Sequence, residues 1–204
     1  MMALSRSSEI TLVDLVTGFV DSAGLPPVTI KGITLDSRLV TPGDLFIAVV
    51  GTETDGANYI AQAIEKGAVA VLQDRDSMAE KGGDYAVPVV ALENLVEYIS
   101  DIAGRFYGEP SRQMPIIGIT GTNGKTTCCL LLAQLFELLG EPSGFVGTLG
   151  YGLQGNGPKG SGQVTETGLT TPDAVSVQRI LAELQDAGAR RVAMEVSSHS
   201  LVQR

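Results

Sequence analysis

The stretch IIGITGTNGKTT at residues 116–127 constrains this chain more than any other. Residues 116–120 are a short, mostly apolar run, the pattern of a strand buried on both faces. Gly121 and Gly124 then frame a tight polar turn, and Lys125 opens a strongly apolar helix that stops at Gly140. Buried strand, turn and helix form the repeating unit of an α/β fold, in which parallel strands need helical crossovers. The turn also has chemical meaning. Glycine lets the backbone bend sharply and come close to a ligand. Successive N–H groups and the helix N-terminus then make a concavity that favours anions. Lys125 supplies a full positive charge for β- and γ-phosphates, and the Thr126 hydroxyl is placed to ligate Mg²⁺. Gly121, Thr122, Asn123, Gly124, Lys125, Thr126 and Thr127 are therefore candidate ATP-binding residues, with Lys125 also the candidate catalytic cation.

The common phosphate-loop pattern, G-x-x-x-x-G-K-S/T, asks for glycine at position 119, where this chain has Ile119. What stands is the shorter G-x-x-G-K-T-T. The competing reading is an ordinary strand-to-helix turn with a surface lysine. Strand, glycines, lysine, paired threonines and apolar helix in this order favour the nucleotide reading.

The rest of the chain supports an α/β protein. Residues 44–50 (DLFIAVV) and 68–72 read as buried strands. Residues 59–66 carry Ile60, Ala63 and Ile64 at helical spacing before Gly67. Residues 87–92 form a third strand, which Pro88 confines to an edge or a strand start. Leu95, Ile99, Ile102 and Phe106 make one stripe of a helix over 92–106. Residues 107–115 (YGEPSRQMP) break regular structure and mark a boundary, dividing the chain into domains at 1–111 and 112–204. Residues 144–168 are glycine-rich and predict a long loop or weak hairpin. Thr171, Pro172 and Asp173 predict a helix start with Thr171 as N-cap, and that helix ends near Gly188. Residues 191–196 predict a strand.

Composition excludes several classes. Hydrophobic residues are 44% and charged residues 18% of the 204, with 25 glycines, which fits a soluble α/β protein and not a disordered one. The net charge of −9 argues against a general nucleic-acid or anionic-membrane binder. The only cysteines, Cys128 and Cys129, are sequence neighbours, so no disulfide framework is expected, and with one histidine they make no ordinary zinc site. No signal peptide is legible in residues 1–19, and no apolar run approaches the roughly 20 residues needed to cross a bilayer. The expected location is cytoplasmic.

Glu195 lies near the carboxyl end of the last strand, where open α/β sheets place ligands. It reads either as a Mg²⁺ ligand opposite Thr126 or as a surface carboxylate. Ser197, Ser198 and His199 lack a nucleophile-elbow motif, and His199 reads as a structural histidine. Residues 34–38 (TLDSR) and 51–56 (GTETDG) read as plain polar turns, with a sugar or pyrophosphate grip as the alternative.

Together these segments resemble the Mur ligases, and among them the members that add the third amino acid to UDP-N-acetylmuramoyl-L-Ala-D-Glu. The matching stretches are TLDSR at 34–38, GDLFIAVVG at 43–51, AGRFYGEPS at 103–111, GITGTNGKTT at 118–127, GTLG at 147–150, TTPD at 170–173 and MEVSSHSL at 194–201. The resemblance implies a small N-terminal UDP-binding domain followed by the first part of a central P-loop ATPase domain. It implies an ATP- and Mg²⁺-dependent amide ligase of peptidoglycan precursor synthesis, working through an acyl phosphate. Its partners would be UDP-N-acetylmuramoyl-L-Ala-D-Glu and a diamino acid, with no nucleic acid or membrane, and it would be a monomer at full length. Carried over by motif, Gly121–Thr127 hold ATP, with Thr126 and Glu195 around Mg²⁺. Leu35, Ser37, Thr52, Glu53 and Thr54 become uridine-nucleotide contacts, and Thr170, Thr171, Ser197 and Gln203 contacts to the muramoyl-peptide end. Two other classes stay in view: an ordinary P-loop kinase or ATPase, and a non-catalytic UDP-nucleotide-binding module.

The resemblance also implies that residues 1–204 stop inside the ATPase domain, before the family's carbamylated lysine, its later metal-binding histidine and its amino-acid-binding domain. The 204-residue chain alone is therefore expected to form no tripeptide product from ATP and both substrates. Product in a chromatographic assay of the purified chain would overturn that expectation.

Overall fold

The computed structural model describes residues 9–51, 54–75, 77, 85–154, 164–167 and 170–197. The chain divides into two compact units, Met1–Phe106 and Tyr107–Arg204.

In the first unit β1 (Ile10–Thr11) pairs antiparallel with β2 (Thr29–Ile30), and α1 (Leu12–Val16) lies between them in sequence. Thr11 and Asp14 cap α1 reciprocally, each side chain taking the other's backbone N–H. The main sheet holds β3 (Gly32–Thr34), β4 (Asp44–Ala48), β5 (Ala70–Asp74) and β6 (Val89–Leu92), all parallel, in the order β3-β4-β5-β6. Every residue of β4 is buried, as its unbroken apolar run requires. A 3₁₀ turn (Gly56–Tyr59) and α2 (Ile60–Glu65) follow β4 and pack Ala57, Ile60 and Ala63 against Phe46, Ala48 and Val71. α3 (Leu95–Tyr107) buries Leu95, Ile99 and Ile102.

Several boundaries fall one to three residues inside the sequence expectation, and at two of them a specific hydrogen bond gives the reason. The strand expected from 68 begins at Ala70, because the Gly67 and Ala68 amides turn back to the Ile64 and Ala63 carbonyls and close α2. The helix expected from 92 begins at Leu95, because Leu92 belongs to β6 and the Leu95 amide donates to Asp74 Oδ2 at 3.2 Å. β6 is an edge strand, consistent with Pro88 at its start.

The second unit contains α4 (Pro110–Gln113), β7 (Ile116–Ile119), α5 (Lys125–Leu138), β8 (Ser143–Gly147), β9 (Gly150–Leu153), α6 (Ala174–Asp186) and β10 (Arg191–Glu195). Its sheet runs β7-β10-β8-β9, with β10 parallel to both β7 and β8, and β9 antiparallel. Side-chain alternation along the strands separates two cores. Phe145 and Ala193 face Cys129 and Ala133 of α5, whereas Val146 and Val192 join Ile180, Leu181 and Leu184 of α6. α5 is apolar on its outer side as well, with Leu131 58% and Leu138 81% exposed.

Three sequence expectations are corrected here. The break at 107–115 contains a helical turn, started by Pro110 in the first helical position. For residues 144–168 the hairpin alternative holds at the start and the loop alternative fails there: β8 and β9 pair antiparallel through Gly147 and Gly150, and β8 is an interior strand whose glycines make room for neighbours, since a Cβ on Gly144 would meet Leu184 at 2.9 Å. The N-cap of α6 is Asp173, which accepts from Ser176 N at 3.0 Å, and Thr171 is turned elsewhere. Among the described residues no helix is long and apolar enough to cross a membrane.

Arg105 of α3 ties down the end of α1. Its Nη1 donates to the Leu15 and Thr17 carbonyls at 2.8 Å each, and its guanidinium lies 4.1 Å from the Phe19 ring centroid. Arg105→Met keeps the stem and removes these donors. It should destabilise the first unit by about 1–3 kcal/mol, read as a lower urea midpoint; an unchanged midpoint would refute this role.

Candidate functional site

The phosphate-loop candidate sits at the carboxyl end of β7. Gly124, at φ 78° and ψ 0°, is the residue before α5, a left-handed conformation that suits glycine. No side chain caps α5. The contrast with α1 and α6, capped by Thr11 and Asp173, is informative. The first-turn amides of α5 have no intrahelical acceptors and no side chain takes their place, so they suit an anion. Lys125 folds back and its Nζ donates to the Gly121 carbonyl at 2.8 Å, bringing the ammonium across the loop. Gly121, Thr122, Asn123, Gly124 and Thr127 are exposed, and Lys125 and Thr126 half-buried.

Strand register brings a carboxylate beside this loop. Glu195 is aligned with Ile119, the last residue of β7, and Met194 with Val146 of β8. The carboxyl ends of three parallel strands thus emerge along one sheet edge, the usual ligand side of such sheets. Glu195 is only 1% exposed. Its Oε1 accepts from Thr148 N at 3.0 Å and its Oε2 from Thr148 Oγ1 at 3.2 Å. The Thr148 and Thr170 hydroxyls lie 3.1 Å apart. Thr171 Oγ1 donates to the Glu195 carbonyl at 3.2 Å and accepts from Ser197 N at 3.1 Å. Glu195, Thr170, Thr171 and Ser197, selected separately from the sequence, therefore form one connected cluster. Gly147 and Thr148 are the members missed. Their only sequence signal was the short GTLG run.

Glu195 is buried, and among the described residues no lysine, arginine or histidine forms an ion pair with it. An ionised carboxylate in that setting is costly unless a cation is near. No cluster of three or more His, Cys, Asp or Glu exists among the described residues. Mg²⁺ does not need one, since it is commonly held by one or two carboxylates, phosphate oxygens and waters. One buried carboxylate and a loop threonine beside a phosphate cradle fit that donor set.

Under this edge lies Cys129. Its Sγ donates to the Ala193 carbonyl at 3.1 Å. Burial pushes the thiol up from 9.0 to about 11, with the charge of Glu195 adding to the rise.

The candidates of the first unit follow the carboxyl ends of β3 and β4. Leu35 is half-buried, and Ser37 is buried with its hydroxyl donating to Gln62 Oε1 at 2.8 Å. The surrounding turn satisfies itself: the Asp36 amide donates to Thr34 Oγ1 at 3.1 Å, and Arg38 Nη2 donates to Asp36 Oδ2 at 2.7 Å. Hydrogen bonding from Arg38 holds the Asp36 carboxyl below its ordinary range. Thr54 is exposed, its carbonyl accepting from Gly51 N at 2.9 Å. Thr52, Glu53, Ser198, His199 and Gln203 lie outside the described residues.

Comparison with known proteins gives a consistent result. Residues 29–107 match the family model described as Mur ligase family, catalytic domain, and residues 119–204 match the Mur ligase middle domain. The chain is 53% identical over 176 residues to the UDP-N-acetylmuramoyl-L-alanyl-D-glutamate--2,6-diaminopimelate ligase of Ectopseudomonas mendocina, covering 86% of this chain and 34% of that protein. It is 51% identical over 175 residues to the protein of the same name from Pseudomonas aeruginosa, covering 85% and 34%. It thus spans about a third of the length of the curated relatives it matches. A solved structure of a ligase of that name superposes with a TM-score of 0.71 at 26% identity, covering 96% of this chain and 37% of the other. A MurF structure from Acinetobacter baumannii shares the fold at a TM-score of 0.59 and 21% identity, covering 92% and 36%.

The two cysteines should behave oppositely. The folded chain at pH 8 should give one reactive thiol, the exposed Cys128, and two after unfolding. A folded-state pKa raised above 9.0 also means that the stabilising effect of keeping Cys129 neutral is full below pH 9.0 and lost as pH rises through about 11. Mass-spectrometric labelling of Cys129 in the folded chain at pH 8 would contradict this.

Proposed function

The chain belongs to the Mur ligase family, and from that premise we propose that it is the uridine-nucleotide and ATP end of an ATP-dependent ligase that joins 2,6-diaminopimelate to UDP-N-acetylmuramoyl-L-Ala-D-Glu. The choice of diamino acid follows the names of relatives about half identical to it. A MurF ligase from Thermotoga maritima that shares the fold, at a TM-score of 0.50 and 21% identity over 82% of this chain and 32% of its own, is solved in complex with ADP. In this reading residues 1–111 bind the uridine nucleotide through Leu35, Ser37 and the 52–54 turn, and residues 112–204 belong to the ATP-binding domain. The observation that carries the proposal is the pairing of a glycine-turned helix start that no side chain caps with a buried carboxylate on the adjacent strand that forms no ion pair among the described residues.

The chemistry asks two anions to meet. An oxygen of the D-Glu side-chain carboxylate attacks the γ-phosphorus and ADP leaves. The incoming amine then attacks the acyl carbon, releases phosphate, gives up a proton and forms the amide. Lys125 and the first-turn amides of α5 offset charge on the phosphates while they are held in line. Thr126 and Glu195 would hold Mg²⁺, which when bound supplies Lewis-acid screening of the same oxygens. Thr170, Thr171 and Ser197 line the same edge and would receive the muramoyl-peptide end, together with Gln203.

Calorimetric titrations separate this from its rivals. The chain should take up UDP-N-acetylmuramoyl-L-Ala-D-Glu and Mg·ATP independently. Lys125→Ala should weaken ATP by roughly ten- to hundred-fold, the loss of charged hydrogen bonds, and leave the nucleotide sugar unaffected. ATP uptake without nucleotide-sugar binding would mean an ordinary P-loop ATPase. Nucleotide-sugar binding without any ATP uptake would mean a simple binding module.

A further inference from the structure

Fixing a glutamate side chain for a metal costs rotamer entropy, because its terminal torsion is broad and its rotamers are many. Glu195 is held differently. One residue, Thr148, engages both carboxylate oxygens, its amide on Oε1 and its hydroxyl on Oε2. The seat beneath is shaped to match: a Cβ on Gly147 would run into the Glu195 carboxyl group.

The hydroxyl protons can be counted. Glu195 offers only lone pairs, so the single Thr148 proton goes to Oε2. The contact between the Thr148 and Thr170 hydroxyls must then use the Thr170 proton, making a directed chain from Thr170 to Thr148 to Glu195. Thr171 fixes the backbone at the same point by bridging the Glu195 carbonyl and the Ser197 amide. Among the described residues, every hydrogen bond to the Glu195 carboxylate thus comes from Thr148, while Thr148 is itself exposed and outside the hydrophobic cores.

We propose that Thr148, seated on Gly147 and backed by Thr170, is a positioning residue that orients the Glu195 carboxylate toward a divalent cation bound with ATP. This rests on the reading of Glu195 as a cation ligand given above. It concerns residues outside the phosphate loop and assigns Thr148 no contact with substrate.

The test measures ATP affinity of the full chain by calorimetry across a Mg²⁺ series and in EDTA, together with thermal melting in EDTA. Thr148→Val removes the hydroxyl, keeps the amide and preserves shape. It should raise the Mg²⁺ concentration that half-maximally tightens ATP by about ten-fold, the lower end of the loss typical for outer-shell partners, with the EDTA affinity and melting temperature unchanged. Thr148→Ser should restore the Mg²⁺ response. Gly147→Ala, which pushes on the carboxylate from below, should reproduce the Thr148→Val effect. A wild-type Mg²⁺ response in Thr148→Val, beside a lost response in Glu195→Gln, overturns the positioning role alone. An unchanged response in Glu195→Gln overturns the cation-ligand reading and this proposal with it.

Discussion

Strand β10, the last described strand in sequence, lies between β7 and β8, and the organisation of the second unit depends on that insertion. Among the described residues β7 pairs with β10 alone, so the strand that delivers the glycine loop takes its sheet pairing from Val192–Glu195, far along the chain. Because the three strands are parallel, their carboxyl ends share one edge. The loop, Glu195 and the Gly147–Thr148 turn become neighbours through that shared direction and through no sequence proximity.

The packing around β10 relies on small residues at positions where larger ones would collide with their neighbours. Cys129 and Ala133 let α5 lie close against Phe145 and Ala193. Gly144 accepts Leu184 on the opposite face, and Gly147 accepts Glu195. Glycine inside a strand is unfavourable in itself. Here it admits a core leucine at one position and a carboxylate at the other, so one short strand serves packing and site together.

Hydrogen-bond satisfaction divides scaffold from site. At several points of the scaffold, polar groups are answered internally: Thr11 with Asp14, Asp173 with Ser176, Asp74 with the start of α3, and Asp36 with Arg38. The first turn of α5 has no such cap, and Glu195 has donors but no positive partner among the described residues. One end of the same sheet thus combines unanswered positive dipoles with an uncompensated negative charge, an arrangement suited to a polyanion that brings a cation with it.

Local chemistry was enough to read the strand, glycine turn and helix at 116–138, the buried strand starting at Asp44, and the position of Glu195 at a strand end, because apolar periodicity and backbone demands are set by near neighbours; it misjudged the burial of β7, which lies at the sheet edge with none of its described residues buried. It was not enough for the start of α3, which is capped by Asp74, for the start of α6, where Asp173 displaces Thr171 as cap, or for choosing hairpin over loop at β8, whose glycines suit either. Thr148 was illegible for the same reason. Its partner is 47 residues away, and nothing in GTLG states which strand will lie alongside. The sequence by itself determined a cradle for phosphate. Only the tertiary structure decided that a buried carboxylate would emerge at the same sheet edge with Thr148 holding both oxygens, because strand order is settled by non-local packing and no short window of sequence contains it.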